Sequence, residues 1–247
     1  MHKARIIKIC VGVKTPAIKP RTFGWPMKRA RKREQYVIVT TSKDCVVLFI
    51  NNQRRRFDVT PDVPTKIVIE DELTTMERFA SGHHLNGIYG DVVNKSIYHL
   101  DMRHLDLSKC YNFNMAFWAT NIREILLPQI NVTCWNNTFY TCYGLNSVDI
   151  SMVDFSIKDY MVGATCSGMF AYCNYINKIT FGKNLQKSFD FHFGRGDLWD
   201  KESLASIMDG LGVVENETIS FGASAYNHLT QEQIAIATSK GWTVVKS

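Results

Sequence analysis

The chain has 247 residues, of which 45% are hydrophobic and 21% charged, with a formal net charge of +6. These proportions are typical of a globular protein that buries a sizeable core. A mean hydropathy of −0.13 and the lack of any run of 18 apolar residues argue against a membrane span.

The N-terminal segment, residues 1–35, is predicted to be a basic, extended arm. Its apolar run at residues 6–13 is interrupted by Lys8 and lacks a small-residue cleavage site, which is not typical of a secretory signal. We therefore expect that the protein either stays in the cytoplasm or reaches the outside as part of a particle. Residues 14–33 carry basic charges without an acid, and three prolines favour extended backbone.

Such an arm is typical of contact with an acidic protein surface or with nucleic acid, although a solvated charge run has the same composition. The hypothesis is that it anchors the chain to other subunits of an assembly. The residues expected to make this contact are Arg21, Phe23, Trp25, Met27, Lys28, Arg29, Arg31, Lys32 and Arg33.

Residues 36–95 are predicted to be a small antiparallel β-module followed by a linker. Four runs rich in β-branched and aromatic residues indicate strands at 36–41, 45–51, 54–60 and 65–71. The first two are expected to pair across a tight turn, and the last two across Pro61 and Pro64. Arg54, Arg55 and Arg56 extend the basic character onto this module.

Residues 96–247 show internal repetition. Segments 115–125, 138–148 and 169–179 align without gaps, each with an aromatic-rich stretch followed by a pair of aliphatic residues. The spacings of 23 and 31 residues, the second enlarged by an insertion, fall near the leucine-rich-repeat range. The alignment predicts Ile125, Val148, Ile179 and Ile219 stacked on successive strands of one parallel sheet.

The C-terminal part is predicted to contain two helices. Leu204, Ile207, Met208 and Leu211 recur at helical spacing after a possible N-cap at Asp200. A second helix is expected to begin at Thr230 and to end at Gly241, followed by a strand. The predicted fold class is therefore mixed α+β: a small antiparallel β-module, then a short, irregular leucine-rich-repeat solenoid with a helical C-terminal cap.

No metal, cofactor or catalytic residues are predicted. The seven cysteines are odd in number and contain no Cys-x-x-Cys pair, which argues against a disulfide framework and against a zinc site. Buried free thiols are the expected state. No glycine-rich phosphate loop, nucleophile elbow or paired-carboxylate motif occurs, so the sequence indicates a protein that is not an enzyme.

Residues 147–182, SVDISMVDFSIKDYMVGATCSGMFAYCNYINKITFG, resemble the BspA-like leucine-rich repeats of bacterial surface proteins. The ending LTQEQIAIATSKGWTVV is similar to the closing segment of such proteins in Bacteroidetes and in their crAss-like phages. The resemblance covers about residues 97–247. It implies adhesion and binding, and it carries no catalytic residues.

The leading functional hypothesis is a structural component of a phage virion, such as a head or tail fibre, adapter or decoration protein. It would dock through its N-terminal region and present the repeat surface, where the dense aromatic residues favour contact with protein or glycan. The alternative is a bacterial adhesin-like protein on the cell surface that binds host protein or glycan. A nucleic-acid-binding protein is a third hypothesis, which depends on the basic arm alone.

Overall fold

The structure is a computed structural model. It describes residues 6–7, 34–83, 90–130, 134–156, 168–191 and 199–247. Within these ranges the chain is a mixed α+β protein with four separate sheets and three helices. The described part contains no helix that is long and apolar enough to cross a membrane.

Seven strands form the N-terminal half of the described chain. Their bounds are β1 Ile6–Ile7, β2 Gln35–Thr41, β3 Cys45–Ile50, β4 Gln53–Asp58, β5 Thr65–Ile69, β6 Ile97–Asp101 and β7 Glu124–Leu126. Five of them make one sheet in the order β1-β5-β2-β6-β7. The pairs β1–β5, β5–β2 and β2–β6 are antiparallel, whereas β6 and β7 are parallel.

The strands of the N-terminal module lie close to their predicted positions, but the predicted pairing is wrong. β3 pairs with β4 rather than with β2, and β5 pairs with β2 rather than with β4. The turn between β3 and β4 explains the difference, because Asn51 and Asn52 both have positive φ, at 49° and 64°. Two such residues give the turn that matches the twist of a two-residue hairpin.

Beyond the strands, the chain forms four stacked turn units, which we define as residues 76–82, 113–119, 135–141 and 168–172. Main-chain hydrogen bonds of 2.7–3.0 Å join each unit to the next, as between Phe117 N and Thr138 O or Phe139 N and Met169 O. The same left-handed backbone recurs in these units, as at Ala119, Thr141 and Tyr172. The units therefore repeat a backbone plan as well as a sequence pattern.

Aromatic rings fill the interior of the turn units. Phe117, Phe139 and Phe170 stack with centroids 5.3 and 5.2 Å apart, and all three are almost fully buried. The buried thiols of Cys142 and Cys173 donate to the carbonyl oxygens of Phe117 and Phe139, at 3.0 and 2.7 Å. These two cysteines therefore occupy equivalent structural positions, as their place in the sequence repeat predicts.

Five further strands and three helices complete the described chain. Their bounds are β8 Ser147–Asp149, β9 Lys178–Thr180, β10 Phe189–Phe191, α1 Lys201–Gly210, β11 Glu217–Phe221, α2 Ala223–His228, α3 Gln231–Ser239 and β12 Trp242–Lys246. Strands β8 and β9 form a two-stranded parallel sheet, and β10, β11 and β12 form a separate three-stranded parallel sheet.

The predicted fold, a separate β-module followed by one continuous solenoid, is wrong. Of the four residues expected to stack, only Val148 and Ile179 are register partners. Ile125 pairs with Leu100, while Ile219 lies between Phe189 and Val244. The antiparallel module is not separate from the repeats either, because β6 joins β2 to β7 in one sheet.

Helix α1 gives a physical reason for the break after β9. The hydroxyl oxygens of Ser203 and Ser206 accept the backbone N–H groups of Ile179 and Phe181, at 3.0 and 2.6 Å. Side chains of a helix thus occupy the edge where a further parallel strand would pair. The ladder ends there, and Ile219 belongs to another sheet.

The two helices predicted from the sequence are confirmed, with their caps. The Asp200 carboxylate accepts from Ser203 N at 2.7 Å, as an N-cap does. Thr230 and Gln233 form a reciprocal capping box at the start of α3. Helix α2 was not predicted, since its six residues are too few for a clear apolar periodicity.

Candidate binding surface

The sequence-predicted partner-binding residues, from Arg21 to Arg33, all lie outside the described residues. Their role stays a prediction. Two residues of the predicted arm, Ile6–Ile7, form strand β1 and pair with Ile67 and Lys66 of β5.

The basic side chains of strand β4 do not form an unpaired patch. Arg54 pairs with Asp91, Arg55 pairs with Asp71 at 2.6 Å, and Arg56 lies 3.5 Å from Asp58. Each positive charge therefore faces a carboxylate of the same chain. The arginines that extend the basic character of the sequence onto this module are compensated within the fold.

An aromatic row lies on the outside of the turn units, next to the buried phenylalanines. Trp118 follows Phe117 and Tyr140 follows Phe139, and each is less buried than the phenylalanine before it. In the last unit the outer ring is Tyr172, two residues after Phe170. Trp118 and Tyr140 meet edge to face with centroids 5.3 Å apart, and Tyr140 meets Tyr172 in the same way at 5.2 Å. Edge-to-face contacts of this length are favourable and hold the rings in place.

His83 extends this row at its N-terminal end. Its ring stacks on Trp118 with centroids 3.8 Å apart and an interplanar angle of 2°. Within the described ranges, no group of three histidine, cysteine or acidic side chains is placed to hold a metal ion.

Two tyrosines of this region are more exposed than buried. Tyr143 is 57% and Tyr172 is 58% exposed, although both lie on turns whose interior is fully packed. We define the aromatic surface as His83, Trp118, Tyr140, Tyr143 and Tyr172. Rigid tyrosine and tryptophan rings on a fixed framework supply contact area at little cost in conformational entropy.

A pocket of about 590 Å³ opens between the aromatic surface and the 3-10 turn at Val92–Ser96. The described residues that line it are His83, Lys95, Trp118, Ala119, Thr120, Asn121, Tyr140, Thr141 and Tyr143. None of these residues is acidic, and Lys95 carries the permanent positive charge. The pocket therefore combines aromatic walls with a cationic rim.

Protonation in this region is set by burial and hydrogen bonding. Burial, then the hydrogen bond to Tyr172, raises the pKa of Tyr140, so its hydroxyl keeps its proton at neutral pH.

Among the thiols, burial raises the pKa of Cys110 to about 12 and also raises that of Cys173. These thiols are not ionised at neutral pH, which fits a packing role rather than nucleophilic chemistry.

Sequence reasoning anticipated that some aromatic residues would be exposed, but it did not identify which ones. It also missed the turn unit at residues 76–82, which it assigned to a linker. The residue in line with Phe117 in that unit is the small Ala80, so the bulky aromatic of the other repeats is missing from its sequence. The signal that was present is the aliphatic pair Leu85 and Ile88, which follows Ala80 at the same spacing as Ile122 and Ile125 follow Phe117.

Comparison with known proteins finds no matching family model, no matching curated protein and no matching solved structure. Function therefore has to follow from the chemistry of the aromatic surface and its pocket.

Proposed function

We propose that this chain is a non-enzymatic interaction protein that binds its partner on the aromatic surface. The observation that carries the proposal is the fixed row of Trp118, Tyr140 and Tyr172, with Tyr143 beside it. Large aromatic side chains dominate the energetics of binding surfaces when they are held in one orientation. Hydrogen bonds between the turn units supply that rigidity.

The proposed setting is a phage particle, in which the chain is a virion component such as a fibre, adapter or decoration protein. The resemblance of residues 147–182 to repeats of bacterial surface proteins supports this setting, and the basic arm offers a means of attachment. The alternative setting is the bacterial cell surface, where the same aromatic surface would bind host protein or glycan.

A binding panel tests the proposed function directly. The full chain is applied to an array of purified glycans and extracellular proteins, and the bound amount is measured over a range of concentrations. We expect binding to at least one member, and at least about tenfold weaker binding by the double variant Tyr143→Ser, Tyr172→Ser, because two exposed anchors are lost.

The matched control is Val213→Ser, which removes another exposed apolar side chain (77% exposed) from the segment after α1. It should bind like the unmodified chain, and all variants should show the same thermal unfolding midpoint. Equal binding by the double variant, or no binding by the unmodified chain to any member, would contradict the proposal.

A further inference from the structure

The pocket beside the aromatic surface is built by close backbone approaches. A Cβ atom at Gly82 would lie 2.5 Å from Ala119 O and 2.9 Å from Lys95 N. A Cβ atom at Gly144 would lie 2.3 Å from Asn121 O. The two glycines thus let the segments that carry Lys95 and Asn121 pack directly against neighbouring turns, which fixes the rim of the pocket.

Three polar side-chain groups at this pocket make no hydrogen bond or ion pair with a described residue: the Lys95 ammonium, the Asn121 amide and the Tyr143 hydroxyl. Some exposed lysines of the fold have acidic partners, as Lys109 does with Glu72 at 2.9 Å and Lys187 does with Glu217 at 3.3 Å, whereas Lys95 forms no ion pair with a described residue. The pocket therefore presents a positive charge, an amide and a phenol that are all available to a ligand.

These groups select the chemistry of that ligand. A pyranose ring has apolar C–H faces that suit the aromatic walls and a rim of hydroxyls that match Asn121 and Tyr143. A carboxylate on the ring would complement Lys95 through a charge-assisted hydrogen bond. The volume of about 590 Å³ lies within the range of small-ligand sites and has room for one or two sugar rings.

An acidic peptide fits the same pocket less well. Its side-chain carboxylate would satisfy Lys95, but it brings no ring of hydroxyls to Asn121 and Tyr143. An extended peptide also gains most of its affinity from main-chain hydrogen bonds to a strand edge. The residues that line the described part of the pocket belong to turns and to the 3-10 segment rather than to a strand.

We propose that this pocket binds an acidic sugar residue, a uronic or sialic acid of a glycan, with its carboxylate on Lys95. This rests on the proposed function, since it names the ligand class of the same aromatic surface. Tyr140 and Tyr143 pack against the ring, and Asn121 hydrogen-bonds its hydroxyls. Binding weakens as ionic strength rises, because the charge pair is exposed to solvent.

Calorimetric titration of the full chain with matched saccharides tests this inference. The acidic probes are tri-galacturonate and 3′-sialyllactose, and the neutral probes are maltotriose and lactose. At least one acidic probe should bind at least about tenfold more tightly than its neutral counterpart, a ratio typical of one charge-assisted hydrogen bond. A difference between the two acidic probes identifies the type of acid.

Substitutions at Lys95 give the decisive comparison. Lys95→Gln should remove the preference for the acidic probe, whereas Lys95→Arg should retain it. The matched control Lys246→Gln removes an exposed lysine from β12 and should leave all affinities unchanged. Equal affinity for acidic and neutral probes, an unchanged preference in Lys95→Gln, or tighter binding of a triglutamate peptide than of any saccharide would overturn the inference.

Failure of this inference is distinguishable from failure of the proposed function. If no acidic sugar binds but Tyr172→Ser still weakens binding of the partner found on the panel, the aromatic surface does bind that partner. Only the proposed ligand class is then wrong. Tyr172 does not line the pocket, so its variant reports on the surface alone. If the tyrosine variants bind the panel unchanged, the proposed function itself fails.

Discussion

At the scale of single residues, the repeat is most regular in its buried aromatic position. The gap-free sequence alignment placed Ala116 in line with Phe139 and Phe170, but the structure places Phe117 there. Thr120 then takes the position of Cys142, and the two side chains lie 3.4 Å apart. Between the buried aromatic residue and the first aliphatic residue, the segment that contains Asn121 is one residue shorter than the equivalent segments of the other two repeats. A gap-free alignment cannot represent this difference.

Replacement of Phe139 tests how much this stacked interior contributes. Phe139 is fully buried between Phe117 and Phe170, so Phe139→Ala removes contacts on both faces and leaves a cavity. We expect a loss of about 3–5 kcal/mol in the free energy of unfolding, measured by urea denaturation. Phe139→Leu keeps most of the volume and should cost less than half as much. Equal losses for both variants would show that the site is not packed as described.

At the scale of elements, strand and helix positions were predictable but their partners were not. Strand identity in residues 36–71 follows from local composition, whereas pairing depends on contacts between distant residues. The buried Asn94 is an example, because its side-chain oxygen accepts from Val47 N at 2.9 Å and its amide donates to Ser81 O at 3.2 Å. Asn94 therefore connects β3 to the first turn unit, and no local sequence pattern predicts this role.

The contact between α1 and β9 ends the β8–β9 ladder, and substitutions of the two serines that make this contact test its role. Ser206→Ala leaves the N–H of Phe181 without its acceptor, and Ser203→Ala does the same to Ile179. Each variant should lose about 1–2 kcal/mol in the free energy of unfolding. Amide hydrogen exchange at the affected residue should accelerate.

Ser239→Ala is the matched control for the serine variants, since Ser239 lies at the exposed end of α3 and donates to Ile236 O. It should change the free energy of unfolding by less than about 0.5 kcal/mol. Unchanged exchange at Ile179 and Phe181 in the Ser203 and Ser206 variants would mean that the helix does not protect this edge.

At the scale of the whole molecule, the N-terminal strands and the first repeats share one sheet, and two residues of the predicted arm form β1 at its edge. Val39 of β2 pairs with Leu100 of β6, and Leu100 pairs in turn with Ile125 of β7. The sequence placed the antiparallel strands and the repeats in successive modules because the two patterns look different along the chain. Their common sheet could not be predicted, since it depends on pairing across about 60 residues.

Residues 1–33 contribute only Ile6 and Ile7 to the described part of the chain. Deleting residues 1–33 removes β1, whose two residues pair with the edge of β5, and leaves β2, β5, β6 and β7 paired. We expect the truncated chain to stay folded, with a small loss of stability from the uncovered edge. We also expect it to be absent from purified particles of the phage proposed as its setting, when copy number is measured by quantitative mass spectrometry.

The arm is expected to act mainly through its apolar residues. Exposed ion pairs contribute less than about 1 kcal/mol each, whereas burying one large apolar side chain contributes about 1.5–3 kcal/mol. Changing Phe23, Trp25 and Met27 to Ser should therefore reduce the copy number more than changing Lys28, Arg29 and Arg31 to Gln. A stronger effect of the basic substitutions would indicate a charged partner surface or nucleic acid. Normal incorporation of the truncated chain would place the anchor outside the arm, most simply on the strands between Tyr36 and Asp71.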